Sequence, residues 1–151
     1  MPRPLLSLSL SLVLATLTGG CGPVGQQFHG DYSASGTATF TLNNYGSQTS
    51  PVKGSLRVSE GVDSDVVILD QGAQCALPAD VEGEVATLRM GTTCTEVIDG
   101  GTLTLTLTGG TAVRMGRTLQ LNYTGNMTAT LDGRAYPGSF SQTLTLTRIG
   151  K

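Results

Sequence analysis

Residues 102–110 read Thr-Leu-Thr-Leu-Thr-Leu-Thr-Gly-Gly, the cleanest alternation in the 151-residue chain. Leucine and threonine alternate with a period of two, the spacing at which the side chains of a β-strand share a face. Leucine therefore lines one face of a strand and threonine lines the other. Gly109 and Gly110 can adopt the positive φ angles of a tight hairpin, so we expect the strand to turn there. This stretch indicates an all-β protein.

The same alternation continues on both sides of this stretch. A first long strand starts at Asp31, and a last strand ends near Arg148. Hairpin turns are predicted at Asp132-Gly133 and at Gly116-Arg117, because these residue types tolerate the backbone angles of two-residue turns. Eight or nine strands joined by hairpins favour an antiparallel up-and-down β-barrel of about eight strands, with a β-sandwich as the alternative.

The middle of the chain is less regular. Residues 66–69 form a short run that is apolar on both faces, residues 81–90 predict one irregular strand, and residues 94–98 predict a shorter one. Glycines at inward positions in mid-strand let a strand coil sharply, as at a barrel corner, and they favour closure of the sheet. These glycines are Gly36, Gly54, Gly125 and Gly138.

The N-terminus has the pattern of an export signal. Arg3 supplies the positive charge, and a short run rich in leucine and serine follows it. This run is shorter than the about 20 apolar residues of a membrane-spanning helix. We therefore expect residues 1–20 to be a signal peptide, residues 21–30 a flexible tether, and residues 31–151 a single β-barrel domain.

Residues 17–21, Leu-Thr-Gly-Gly-Cys, resemble the lipobox of bacterial lipoproteins, although Thr18 stands where the family prefers leucine. In that family the cysteine receives a diacylglyceryl group and becomes the mature N-terminus, so the resemblance implies a lipid anchor, with acyl chains such as palmitate, on Cys21. An Asp after the cysteine commonly marks inner-membrane retention, and Gly22 stands there instead. The resemblance thus implies anchoring to the outer membrane, on either its periplasmic or its outer face, and several acyl chains anchor a protein stably.

Cysteine arithmetic predicts one disulfide. If Cys21 is lipidated, Cys75 and Cys94 remain, and neither lies in a C-x-x-C motif of the kind found in redox centres and zinc sites. An exported protein meets an oxidising environment, so we expect the two cysteines to pair. Closing a loop of this size stabilises the fold by about 3 kcal/mol.

The start of the first long strand, Gly30-Asp31-Tyr32, resembles the G-x-W start of lipocalins, with Tyr32 in place of the tryptophan. That family places an arginine from late in the chain over the aromatic ring, and Arg148 has that position here. The resemblance implies a cation–π pair between Tyr32 and Arg148 that closes one end of the barrel. This resemblance covers the architecture and the two ends of the domain. No apolar pattern of helical period corresponds to the C-terminal helix of that family.

Composition and residue chemistry argue against several classes of function. Charged residues make up 13% of the chain, the net charge is −2, and no cluster of Lys and Arg marks a nucleic-acid surface. His29 is the only histidine, and we expect it to be solvated beside the tether, without the partners that a general base needs. Asp63, Asp65 and Asp70 lack the spacing of a calcium loop and are interpreted as turn acids. We predict no catalytic residue, no metal and no cofactor.

Two functions fit these observations. The first is a non-enzymatic envelope lipoprotein whose barrel is a structural or interaction module. The second is a lipocalin-like carrier of a small apolar ligand in the barrel lumen, which eight-stranded barrels can hold. The expected partners are the membrane, through the lipid anchor, and either a protein or a small apolar ligand. Interior volume distinguishes the two functions, because the inward leucines either fill the lumen or leave a cavity.

Overall fold

The computed structural model describes residues 22–73 and 75–150, and it is all-β, as predicted. The predicted signal peptide and Cys21 lie outside the described residues. A 3-10 turn at Gln26–Phe28 precedes the sheet, and no helix in the described part of the chain is long and apolar enough to cross a bilayer. The strands are β1 (Gly30–Leu42), β2 (Gly46–Glu60), β3 (Val66–Asp70), β4 (Cys75–Glu82), β5 (Val85–Leu88), β6 (Thr93–Ile98), β7 (Gly101–Met115), β8 (Thr118–Leu131) and β9 (Arg134–Ile149).

All nine strands belong to one antiparallel sheet that is hydrogen-bonded in a ring. Hairpins join β1 to β5 in sequence, further hairpins join β6 to β9, and β1 pairs with β9. The ring closes at β7, which pairs with β6 along its first half and with β5 along its second half. The strands are not spaced evenly about an axis, so the shape lies between a barrel and a sandwich.

The two partners of β7 divide the molecule into two halves. In the closed half, β5 completes a ring in which Val85 of β5 lies opposite Val113 of β7. In the open half, β6 forms one edge of the sheet, and residues 46–54 of β2 form the other, with no described strand between them. Pro51 and Lys53 lie in the β2 edge, and both residue types discourage pairing with a further strand. The open half is therefore a curled sheet with a gap in its wall.

Gly109 and Gly110 do not form the predicted hairpin turn. β7 continues through both residues, and its register with β8 shifts between Leu107 and Gly109, which is a β-bulge. A Cβ atom on Gly110 would lie 2.5 Å from Cβ of Tyr123, so the glycine permits the close approach of β7 and β8. Turns and bulges both favour glycine, and the local sequence does not distinguish between them.

Residues 81–90 contain a hairpin, and the prediction of one irregular strand there is wrong. Gly83 and Glu84 form the turn between β4 and β5, and Gly83 has a φ of 59°. The turns predicted at Gly116-Arg117 and Asp132-Gly133 are confirmed. In the latter, φ is 48° at Asp132 and 75° at Gly133, as a type I′ turn requires.

The apolar core is complete in the closed half and incomplete in the open half. The largest fully buried side chains all lie in or beneath the closed half: Tyr32, Phe28, Ile68, Leu119, Leu121, Leu146 and Val66. Inward side chains of the open half, such as Phe40, Val52, Leu103 and Leu105, are only partly buried. On the outer face, hydroxyl groups pair across strands, as Thr39 and Thr49 do at 2.8 Å.

Candidate functional site

The open half encloses a cavity of about 230 Å³. Its wall is mostly apolar and includes Leu103 and Leu105 of β7, Phe40 of β1 and Val52 of β2. The cavity also reaches Leu121 of β8, a buried side chain of the closed half. Sites for drug-sized ligands are usually about 300–1,000 Å³, so this cavity suits a small molecule or the apolar part of a larger one. The inward leucines therefore do not fill the lumen.

Small side chains on the facing strands explain why space remains. Ala38 of β1 and Ser50 of β2 line the cavity across from the leucines of β7. On β7, Leu107 is buried, whereas Leu103 and Leu105 extend into the half where β5 no longer covers them. The cavity thus has two causes. The residues on one wall are small, and no described strand closes the other wall between β6 and residues 46–54 of β2.

Besides Ser50, four larger polar side chains interrupt the apolar inward faces around this cavity: Asp70, Glu96, Tyr123 and Gln142. Asp70 follows Ile68 on β3, and Glu96 follows Cys94 on β6, each by the two residues that keep a side chain on the same face. Tyr123 and Gln142 lie opposite each other on β8 and β9, and the Tyr123 hydroxyl donates a hydrogen bond to Oε1 of Gln142. The sequence analysis did not predict that these residues form one site. The signal that could have found them is a polar residue at an inward strand position.

The two acids among these residues, Asp70 and Glu96, are called the mouth carboxylates below. Each is partly exposed and also lines a second, more open pocket, Glu96 beside Val97 and Asp70 beside Lys53, so both lie at the rim of the cavity. Oδ1 of Asp70 accepts hydrogen bonds from the backbone N–H groups of Gly72 and Ala73 at 2.8 and 3.2 Å, which orient its side chain. Among the described residues, neither mouth carboxylate forms an ion pair, and no Lys or Arg lines the cavity. The site therefore combines an apolar wall with a negative rim.

The pKa of Tyr123 is also shifted by its surroundings in the cavity. Burial raises the pKa of its hydroxyl above the ordinary value near 10, and the negative charges of Asp70 and Glu96 raise it further. Tyr123 is therefore a neutral hydrogen-bond donor at physiological pH. Its ring packs edge-on against Phe140, with ring centroids 5.9 Å apart, which adds an aromatic surface to the cavity wall.

Replacing Tyr123 with phenylalanine is expected to flatten the fall in stability at alkaline pH. The unfolded chain releases the Tyr123 proton near pH 10, whereas the folded chain holds it to a higher pH. This contribution to the unfolding free energy is complete below pH 10 and decreases by about 1.4 kcal/mol per pH unit between the two pKa values. Urea unfolding at several pH values between 9 and 11 measures the slope. Tyr45→Phe, at a side chain that is 71% exposed, is the control and should keep the slope of the wild type; equal slopes for the wild type and Tyr123→Phe would contradict the assignment.

The predicted disulfide between Cys75 and Cys94 is present. It joins β4 to β6, two strands that do not hydrogen-bond to each other. Asp70 lies opposite Cys75 in the β3–β4 ladder, and Glu96 lies two residues beyond Cys94 on the same face of β6. The disulfide therefore holds both mouth carboxylates on one side of the cavity.

Tyr32 and Arg148 lie together at the far end of the closed half. The guanidinium carbon of Arg148 is 5.5 Å from the centroid of the Tyr32 ring, and Nη2 of Arg148 donates hydrogen bonds to the Tyr32 hydroxyl and to the carbonyl of Gln27, both at 2.9 Å. The Tyr32 hydroxyl donates to the carbonyl of Phe28 at 2.7 Å, and Phe28 is only 1% exposed. This packing differs from the flexible tether expected for residues 21–30, because Phe28 buries its ring under the barrel. The resemblance to lipocalins itself stays a prediction.

The remaining candidates from the sequence lie apart from the cavity. His29 is half-buried rather than solvated, and its Nε2 has no hydrogen-bond partner among the described residues. Asp65 accepts a hydrogen bond from the backbone N–H of Val81 at 2.7 Å and so ties the loop before β3 to β4. Within residues 22–73 and 75–150, no group of three or more His, Cys, Asp or Glu is placed to hold a metal ion.

Comparison of the chain with protein-family models, with curated proteins and with solved structures finds no match.

Proposed function

We propose that this chain is a non-enzymatic envelope lipoprotein, anchored through Cys21, whose β-domain binds a small molecule in the cavity of the open half. The anchor is supported by the lipobox-like residues 17–21, and the outer-membrane location by Gly22. The binding role is supported by one observation: the inward leucines leave a cavity of about 230 Å³ instead of filling the lumen.

The energetics of burial favour a ligand with an apolar portion. Protein interiors usually contain few voids larger than a water molecule, so a cavity of this size among leucines is an exception. Leu103, Leu105 and Phe40 keep part of their apolar surface uncovered there. Covering such surface stabilises a complex by about 25 cal/mol per Å². A ligand can recover this free energy, whereas the folded chain alone does not.

The polar groups of the cavity support binding rather than catalysis. Tyr123 keeps its proton at neutral pH because burial raises its pKa. Its hydroxyl is already bound to Gln142, and Asp70 is hydrogen-bonded to the backbone of the loop that follows β3. These groups can orient a bound molecule, but the residues lining the cavity include no nucleophile paired with a general base.

A series of linear alcohols tests the proposal. The exported chain carrying Cys21→Ser is titrated by calorimetry with n-alcohols from hexanol to dodecanol. Each buried methylene contributes about 0.8 kcal/mol, so affinity should rise about four-fold per added carbon and then level off once the chain fills the cavity. The absence of saturable binding would contradict the proposal and favour a structural or interaction module.

A matched pair of tryptophan variants locates the binding. Leu105→Trp should weaken decanol binding about ten-fold or more, because the larger side chain occupies the cavity. Thr104→Trp is the control, since Thr104 faces the outer surface of β7 beside Thr95 of β6, and it should bind like the wild type. Leu103→Trp gives a second blocked cavity in case Leu105→Trp does not fold. Equal affinities for the blocked and control variants would place the ligand elsewhere.

A further inference from the structure

The rim of the cavity carries a charge that its apolar wall does not explain. Asp70 and Glu96 both lie on inward faces, where strands of this protein otherwise present mainly apolar residues. In contrast, the three ion pairs found in the described chain all lie on its outer surface, such as Asp31 with Arg57 at 2.7 Å. Asp70 and Glu96, in contrast to the acids of those three pairs, lie on inward faces and have no ion-pair partner within the described chain.

The mouth carboxylates lie on neighbouring parts of the rim. The disulfide brings the Cα atoms of Cys75 and Cys94 to 5.5 Å, Asp70 is the ladder neighbour of Cys75, and Glu96 is two residues from Cys94. The charges of both acids also raise the pKa of the Tyr123 hydroxyl, which lines the same cavity. Two like charges held at one rim repel each other, and a bound cation between them reduces that repulsion.

We propose that the ligand is a cationic amphiphile, whose apolar part lies among the leucines of β7 and whose single positive charge lies between Asp70 and Glu96. This inference rests on the proposed function and names the chemical class of its ligand. An ammonium group suits the rim because it donates hydrogen bonds to carboxylates, and such charge-assisted bonds are stronger than neutral ones.

The aromatic side chains at the cavity are consistent with the same class of ligand. The rings of Tyr123 and Phe140 line the cavity, and an aromatic face attracts a cation that approaches it. A fatty acid has the opposite charge and would add a third carboxylate to the rim. No Lys or Arg lines the cavity itself, and Lys53, which lies beside Asp70, is on the outer face of β2 opposite Ser35. Charge complementarity therefore favours an amine over an acid of the same chain length.

Three ligands of equal chain length test this inference. Decylamine, 1-decanol and decanoate are titrated by calorimetry into the Cys21→Ser chain at pH 7, each below its aggregation concentration. We expect decylamine to bind about ten-fold or more tightly than decanol, and decanoate to bind more weakly than decanol. Raising the salt concentration from 50 to 500 mM should reduce the preference for the amine, because salt screens charges at an exposed rim, with a Debye length of about 10 Å at 0.1 M.

Variants of the mouth carboxylates provide the decisive comparison. Asp70→Asn/Glu96→Gln should abolish the preference for decylamine, whereas decanol should still bind saturably to the cavity. Glu60→Gln/Glu82→Gln removes the same charge at exposed positions of the closed half and should keep the preference. Glu96→Gln alone, at a side chain that accepts no hydrogen bond within the described chain, should lower the preference if the double variant does not fold.

The outcomes separate this inference from the proposed function. Saturable decanol binding with no preference for decylamine would overturn the inference and leave the proposed function intact. A preference that persists in Asp70→Asn/Glu96→Gln would also overturn it. If none of the three ligands binds, the proposed function itself fails.

Discussion

Replacing Phe28 with alanine is expected to lower the unfolding free energy by about 3–5 kcal/mol, the usual cost of removing a fully buried aromatic ring. Phe28 is 1% exposed, although it precedes every strand of the sheet. Its ring lies in the apolar core with Tyr32, and its carbonyl accepts a hydrogen bond from the Tyr32 hydroxyl. The variant leaves a cavity at the end of the closed half, where Arg148 also binds the segment through the carbonyl of Gln27.

Urea unfolding of the Cys21→Ser chain measures this effect. Val24→Ala is the matched control, because Val24 lies in the same segment and is 58% exposed. A surface substitution of this kind changes stability by about 0.5 kcal/mol or less. A loss below about 1 kcal/mol for Phe28→Ala would show that the segment before β1 contributes little to the fold, and that residues 21–30 act as a tether after all.

Removing the disulfide with Cys75→Ala/Cys94→Ala is expected to cost about 3 kcal/mol of unfolding free energy, from the loop entropy it restricts in the unfolded chain. The two cysteines are 19 residues apart in sequence, and the bond joins strands that share no backbone ladder. Its loss removes the only described covalent connection across the gap between β4 and β6. We therefore also expect decanol and decylamine to bind more weakly to this variant.

Reduction of the wild type gives an independent measurement of the same effect. Dithiothreitol should lower the thermal midpoint of the wild type to that of Cys75→Ala/Cys94→Ala and leave the variant unchanged. If the variant is as stable as the oxidised wild type, the bond contributes nothing to the fold. If its affinity for decanol is also unchanged, the bond has no part in shaping the cavity.

The strands could be predicted from the sequence because alternation is a local property. Each side chain of a strand faces away from its neighbours, so the leucines of residues 102–108 had to share one face. The tight turns at Gly116-Arg117 and Asp132-Gly133 were also local and were confirmed. Gly109 and Gly110 were interpreted wrongly, because the difference between a turn and a bulge depends on whether the next residues pair with the same strand.

The cavity could not be predicted from one strand at a time. It exists because β5 and β6 share one edge of β7, and this pairing depends on contacts between distant segments. Its volume depends on small side chains such as Ala38 and Ser50 opposite Leu105, and these lie on three different strands. Phe28 was missed for a related reason: a single aromatic residue outside any periodic pattern gives no signal of where it packs.

Locating a bound alcohol by NMR tests most directly whether the cavity is a binding site. Intermolecular NOEs are recorded between ordinary protonated decanol and the methyl groups of a chain whose leucine and valine methyls are labelled with carbon-13. Binding in the cavity predicts NOEs to Leu103, Leu105 and Leu121, which line it. NOEs confined to surface methyl groups, such as those of Val97, which is 88% exposed, would contradict it.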